Sequence, residues 1–485
     1  MREPWDDKPH EECGVFGIYA PGQEVAKLTY FGLYALQHRG QESAGIAVVN
    51  SNGIQAHKGM GLVAEVFSER ILKELQDDGK IAIGHVRYST TGSSLLSNAQ
   101  PLVVHYQKGM IALAHNGNLT NAADLRRELT NDGGVFQTTV DSEVIVQLIA
   151  RYSRGSLEDA LVKTMMDLQG AYALVIATED KLLGMRDPFG VRPLCIGKLG
   201  KNYVLASESC ALDTIGAEFV RDVEPGEIIT IDAEGLHSRQ GFPAKKPAIC
   251  SFEYIYFARP DSTIDKLNVT ESRRRMGIEL ANEYKVEADI VIPVPDSGMT
   301  AALGYAEASG IPFAQGLLKN RYVGRTFIQP TQEMREVAVR LKLNANAQVI
   351  KGKRVIMIDD SIVRGTTSSR IVEMLRKVGA KEVHLLICSP PVLYPCYYGI
   401  DTAEREKLIA AKLDVEGIRQ YIGADSLYYL SVEGVIRALG DLPVCLACFN
   451  GEYPAGIPAD MVGKLDALKN KCGGKNKCGS SKAQS

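Results

Sequence analysis

Short apolar runs separated by glycines mark the first half of the chain, at residues 46–49, 81–86, 111–115, 172–177 and 203–206. Side chains that alternate between a core and a polar face predict strands, and the spacing of the turns between them predicts sheets of mostly antiparallel strands. Helical spacing interrupts them over residues 122–129 and 142–151. The pattern describes a layered α/β domain that ends near Ala248, after the polar segment 239–247.

From about Ile290 the pattern changes, because apolar runs now alternate with helices instead of with turns. Residues 290–294 form a buried-type strand, and Pro295-Asp296-Ser297-Gly298 leads into a helix that Gly310 ends. Residues 311–317 read as the next strand, and the segment 320–350 is polar. The run 355–358 then stops at two carboxylates, Asp359 and Asp360. The loop Ser361, Ile362, Val363, Arg364, Gly365, Thr366, Thr367 follows. A helix places Ile371, Met374, Leu375 and Val378 on one face before Gly379 stops it. Residues 383–388 are another strand. Strands alternating with helices imply a parallel, doubly wound sheet whose ligands lie beyond the carboxyl ends of the strands, and both 295–298 and 359–367 are at such ends.

The length of 485 residues is too great for one typical core and predicts two domains, over 13–248 and 249–464. Residues 1–12 form a polar, acidic leader, and the Gly-, Lys- and Ser-rich tail 465–485 is expected to be disordered. The net charge of −3, with acids and bases interspersed, argues against a nucleic-acid partner. No apolar run is long enough to span a bilayer, and the N-terminus lacks the basic and apolar regions of a signal peptide. A cytoplasmic protein with no membrane partner is expected. Its ten cysteines are then kept reduced, which favours ligand or nucleophile roles over disulfides.

The stretch 355–367 has two readings. A strand-to-helix turn with capping acids is one. The other is a phosphosugar site, in which the helix N-terminus and the hydroxyls of Ser361, Thr366 and Thr367 hold a phosphate while Asp359 and Asp360 meet sugar hydroxyls or a divalent cation. Asp296, Ser297 and Gly298 offer N–H groups and a hydroxyl to a second phosphate. Lys319 and the basic residues up to Lys342 read as a closing lid or as an ordinary solvated loop.

In the first half Cys13 is either inert core or a nucleophile. Removal of residues 1–12 would make it N-terminal, with its own α-amine as general base. Gly14 and Gly17 would allow a ligand close to its strand. Asn116 and Gly117 supply a side-chain amide and a backbone N–H, the donors of an oxyanion hole, and Arg87 and Asp141 suit the carboxylate and ammonium of a free amino acid.

The segments Asp359–Thr367 and Val294–Gly298 resemble the phosphoribosylpyrophosphate (PRPP) motif and the pyrophosphate loop of type I phosphoribosyltransferases. Cys-Gly-Val-Phe-Gly from Cys13, Gly84–Tyr88, His115–Leu119 and Asp141 resemble the glutaminase half of the N-terminal-nucleophile amidotransferases. Over residues 13–455 the chain is similar to the glutamine phosphoribosylpyrophosphate amidotransferases, the family that commits material to purine synthesis. The resemblance implies an αββα glutaminase sandwich followed by a phosphoribosyltransferase sheet. It also implies that glutamine gives ammonia at Cys13 and that ammonia displaces pyrophosphate from PRPP to form 5-phosphoribosylamine.

By the same resemblance Asp359, Asp360 and Ser297 serve a magnesium site, and Cys250, Cys396, Cys445 and Cys448 match a four-iron, four-sulfur cluster. It further implies a homo-oligomer, a tetramer, inhibited by purine nucleotides. From spacing alone the Cys445-x-x-Cys448 pair leaves zinc, a redox pair and coincidence open, with Cys472 and Cys478 as further zinc candidates. Cys195, Cys210 and Cys388 are assigned to core packing. A glutaminase serving another acceptor and a PRPP-sensing regulator are the rival readings. The first leaves 359–367 without a role, and the second leaves Cys13, Asn116 and Gly117 without one.

Overall fold

Alternating apolar strands of the first half close into two sheets in the computed structural model, which describes residues 13–88, 95–243, 245–320, 343–402 and 404–462. The first sheet has seven strands in the order Glu218–Asp222, Cys195–Leu199, Asn202–Ala206, Gly14–Tyr19, Ile81–Arg87, Ser43–Asn50, Gly53–Met60. The second has six, in the order Gly235–Gln240, Glu227–Asp232, Leu182–Arg186, Gly170–Ala177, Gly109–Leu119, Leu102–Tyr106. Every pairing in both is antiparallel.

Period-two alternation decides what each face meets. Val15 points between the sheets, among Ala114, Ala173 and Val175, whereas Phe16 and Ile18 point outward to Leu33 and Leu36, in and just after the helix Val25–Ala35. On the far side Leu113, Leu174 and Ile176 are covered by Val144, Ile145 and Leu161 of the helices Ser142–Tyr152 and Leu157–Asp167. The result is a helix–sheet–sheet–helix stack. Gly14 and Gly17 serve this packing and leave no room for a ligand. A Cβ at Gly17 would lie 2.5 Å from Val175, and one at Gly14 would lie 2.9 Å from Val86.

The second half holds a four-stranded parallel sheet in the order Ile290–Pro293, Arg354–Asp359, Glu382–Ile387, Ser426–Tyr429. Alternation again serves two faces, here both buried. Ile292, Met357 and Leu385 meet Ile371, Leu375 and Ile418 on one side, and Val291, Ile356 and Leu386 meet Met276, Leu280 and Tyr305 on the other. The helix after the first strand runs Met299–Ser309 and ends at Gly310, as its spacing predicts.

The strand expected over 311–317 does not form as such. Pro312 and Gly316 interrupt it. Phe313 makes an isolated parallel bridge to Val291, and a short strand Leu317–Lys319 pairs with Leu343–Ala345 instead. Between the halves, Ile249–Cys250 pairs in parallel with Val444–Cys445, so the end of the second half returns to the junction. Among the described residues no helix is long and apolar enough to cross a membrane. The leader 1–12, the tail 465–485 and most of the expected lid, residues 321–342, lie outside the described residues.

Candidate active site

Cys13 immediately precedes the strand Gly14–Tyr19, whose partner Ile81–Arg87 runs antiparallel with Gly14 opposite Val86. That register brings Arg87 beside Cys13. Cys13 as a whole is half-buried, yet its thiol lies deep enough that burial, the largest influence, pushes it above the ordinary thiol value. The Tyr88 carbonyl and the Arg87 guanidinium act the other way, and the Asp141 and Glu42 carboxylates add to the rise. The thiol lies 3.7 Å from the Tyr88 carbonyl oxygen. Cys13, Arg87 and Asp141, which the sequence nominates separately, therefore share one site, with Glu42 as an addition.

Arg87 is already paired, donating to Glu42 Oε1 at 2.7 Å. Asp141 accepts the Leu119 N–H at 2.9 Å and lies 3.7 Å from His115 Nδ1. His115 contacts Ser142 Oγ at 3.0 Å, and the His85 ring reaches the His115 carbonyl at 3.0 Å, joining the two sheets beneath the site. Burial holds the His85 pKa down to about 3, so the ring is neutral. Asn116 is fully buried, and neither polar atom of its side-chain amide has a partner among the described residues. An uncompensated buried amide is costly, and such groups persist where a ligand is received. Gly117 has φ +134°, and a Cβ there would lie 2.1 Å from the Ala171 carbonyl, so only glycine fits.

In the second half the two predicted loops meet. Val294 N–H donates to the Ile358 carbonyl at 2.8 Å, and Gly298 N–H donates to that of Val294 at 3.0 Å, which folds 294–298 against the end of the central strand. Ser297 Oγ donates to Asp360, and Ser361 Oγ donates to the same carboxylate at 2.6 Å. Asp359 accepts the Asp360 N–H at 2.9 Å. Both acids and Ser361 are buried, while Asp296 is exposed and paired with Lys319 at 2.7 Å. Ile362 and Val363 turn their side chains into the two cores on either side of the sheet, so only their backbone faces the loop. Gly365 caps the helix Thr366–Lys377 at φ +81°, leaving Arg364, Thr366 and Thr367 half-exposed at its N-terminal end. Twelve residues of helix put a positive dipole end beside those hydroxyls, a cradle suited to phosphate.

Cys250 and Cys445 are direct strand partners, and Cys448 follows on the short helix Ala447–Asn450. Cys396 Sγ accepts the Tyr398 N–H at 3.3 Å. Burial is the largest influence on Cys250, pushing it up to about 11, and on Cys445 and Cys448, which also rise; Cys396 acts on all three. The four thiols thus converge at the junction. Among the described residues, however, no set of three or more Cys, His, Asp or Glu side chains is gathered closely enough to hold an ion. Cys195 and Cys388 are buried in apolar clusters, as expected of core residues, and Cys210 is buried in one too, although its thiol also lies 3.8 Å from the Glu208 carboxylate. Cys472 and Cys478 lie outside the described residues.

A family profile described as "Glutamine amidotransferase domain" matches residues 85–214, and one described as "Phosphoribosyl transferase domain" matches residues 267–389. The amidophosphoribosyltransferase of Bacillus subtilis is 53% identical over 460 residues, covering 93% of this chain and 96% of its own. The chain belongs to the amidophosphoribosyltransferase family. The amidophosphoribosyltransferase of Archaeoglobus fulgidus is 52% identical over 455 residues, covering 92% of this chain and 99% of its own. Among solved structures, the glutamine PRPP amidotransferase of B. subtilis complexed with ADP and GMP matches with a TM-score of 0.88 at 52% identity, covering 92% of this chain and 98% of that one. The first profile begins at residue 85 and so leaves out Cys13. The case for that residue as an amidophosphoribosyltransferase nucleophile rests on its neighbours in the fold.

Sequence reading did not single out Glu42, His85 or Arg39, the last of which donates Nε to the Cys13 carbonyl at 3.2 Å. Their one visible signal is polar residues inside apolar or tightly turned segments, Gln37 to Glu42 above all.

Proposed function

We propose that the protein is a glutamine-dependent amidophosphoribosyltransferase, which converts PRPP, glutamine and water into 5-phosphoribosylamine, glutamate and pyrophosphate, the first committed step of purine synthesis. The observation that carries this reading is the pairing, in one chain, of the Cys13–Arg87–Asp141 site and the unsatisfied buried Asn116 amide with the joined loops 294–298 and 359–367. Removal of residues 1–12 frees the Cys13 α-amine, which takes the thiol proton at neutral pH. The thiolate attacks the side-chain amide carbon of glutamine. The Asn116 amide and the Gly117 N–H stabilise the oxyanion, while Arg87 and Asp141 hold the amino-acid end. Ammonia leaves, and water releases glutamate from the thioester.

In the second half Ser361, Ile362, Val363, Arg364, Gly365, Thr366 and Thr367 hold the 5′-phosphate, and Asp359 and Asp360 hold the ribose hydroxyls. Asp296, Ser297 and Gly298 face the pyrophosphate. Ammonia attacks C1 as pyrophosphate departs. Ser297 and the two buried acids form an all-oxygen donor set that would hold a magnesium ion, which would supply charge to offset that of the leaving group. The four junction thiols fit a four-iron, four-sulfur cluster by their chemistry, and would hold it for a structural role.

The domains are assigned as residues 13–248 and 249–464. Purine nucleotides are proposed as feedback inhibitors, a homotetramer as the assembly and the cytoplasm as the location. The solved relative's complex with ADP and GMP supports the first of these.

Pyrophosphate release from PRPP and magnesium, measured with glutamine or with ammonia as donor, tests the reading. Release with both donors is expected, and none with either contradicts it. Intact mass of the active enzyme tests leader removal, which fails if Met1–Glu12 is retained.

A further inference from the structure

Arg39 and Glu253 come from opposite halves of the chain, 214 positions apart, and are fully buried together. Arg39 Nη1 donates to Glu253 Oε2 at 2.8 Å and Nη2 to Glu253 Oε1 at 2.7 Å, a bidentate fork. The same guanidinium donates to Glu208 Oε1 at 2.7 Å, and its Nε reaches the Cys13 carbonyl at 3.2 Å. Glu208 is held in turn by Ser262 Oγ at 2.7 Å and the Arg259 N–H at 2.9 Å. Arg192 lies 3.7 Å from Glu253 and donates to the Tyr398 carbonyl. On the other side of the site, Asn118 Nδ2 donates to the Tyr397 carbonyl at 2.9 Å, and Gly399 backs onto Gly117.

None of these charges has a part in the chemistry described above, and burying a carboxylate without a partner is costly. A planar guanidinium forked on one carboxylate fixes both position and orientation. Its remaining donor then fixes whatever it reaches, here the carbonyl of the nucleophile's own residue. That contact is worth most once Cys13 is the first residue, because no preceding chain then restrains it.

We propose that Glu253, a residue of the second half, is a positioning residue for glutamine hydrolysis, acting through Arg39 to set the backbone and thiol of Cys13. The glutamine site is therefore completed by the phosphoribosyltransferase half. This inference rests on the reading of Cys13 as nucleophile.

The test compares the full-length wild type with Glu253→Gln, Arg39→Lys and the double variant. Glutamine turnover is measured alongside ammonia-dependent pyrophosphate release, which reports folding because Glu253 lies outside the PRPP loops. Glu253→Gln is expected to lower kcat for glutamine on the order of tenfold or more, with KM for glutamine held within about twofold. Arg39→Lys keeps a cation for both carboxylates and removes the fixed Nε donor, and it should show the same split. The double variant should be no slower than the slower single, because both act through one contact. A wild-type kcat in Glu253→Gln, or additive losses in the double variant, overturns the proposal. If Glu253→Gln does not fold, Arg39→Lys decides by the same criterion. A wild type that never hydrolyses glutamine refutes the reading of Cys13 itself, an outcome distinct from these.

Discussion

In the first half Asn116, Arg87 and Asp141 sit on sheet strands or at a helix start and are buried, whereas in the second Asp296, Arg364, Thr366 and Thr367 lie on loops and a helix end and keep partial or full exposure. The difference follows from what each site must do. A thiol and an oxyanion hole need fixed geometry in a dry setting, which a sheet sandwich supplies. A triphosphorylated sugar needs many donors around a large anion, which loops beyond parallel strands supply. The two loops of the second half are nevertheless tied to each other through Ser297 and Asp360.

Substitutions that separate the halves sharpen this contrast. Cys13→Ser has the largest expected effect, lowering glutamine-dependent pyrophosphate release by roughly 10³-fold or more while ammonia still supports it. Parallel loss of both activities breaks the division of labour. Asn116→Ala should lower kcat for glutamine by about 10²–10³-fold, again sparing ammonia, because it deletes one of the two proposed oxyanion donors. Gly365→Ala acts on the other half. Its φ of +81° disfavours any side chain, and a Cβ would lie 2.9 Å from Ile409, so KM for PRPP should rise about tenfold with either donor.

The last effect concerns stability and leaves catalysis at neutral pH untouched. His85 has a folded pKa of about 3 against about 6.5 when unfolded, so the unfolded chain gains a proton first as pH falls. The contribution is complete well above pH ~6.5 and falls on acidification, by about 2 kcal/mol at pH 5. Melting curves at pH 7 and pH 5 should show a shallower loss in His85→Gln than in wild type. An equal loss contradicts the assignment.

Much of the architecture is legible in the sequence because alternation with period two and helical spacing are local. Phe16 and Ile18 against Val15 already separate two layers, and Ile371 and Leu375 mark the face of their helix. The segment 311–317 failed that logic, because Pro312 and Gly316 remove regular pairing that its apolar content suggests. The motifs at Cys13, 116–117 and 359–367 are also local and could be found. Glu42, Arg39 and Glu253 could not, and His85 lay in the recognised segment 84–88 without a role, since each acquires its meaning only from partners dozens to hundreds of positions away. The burial of Asp359 and Asp360 against Ser297 and Ser361 is likewise a property of two loops meeting.

In this mechanism the buried cysteine site feeds the exposed phosphosugar site within one molecule. The most direct test is the ratio of glutamate formed to pyrophosphate released, with glutamine and PRPP–magnesium both saturating and no added ammonia. One glutamate per pyrophosphate is expected. Glutamate production that proceeds without pyrophosphate under these conditions would contradict it.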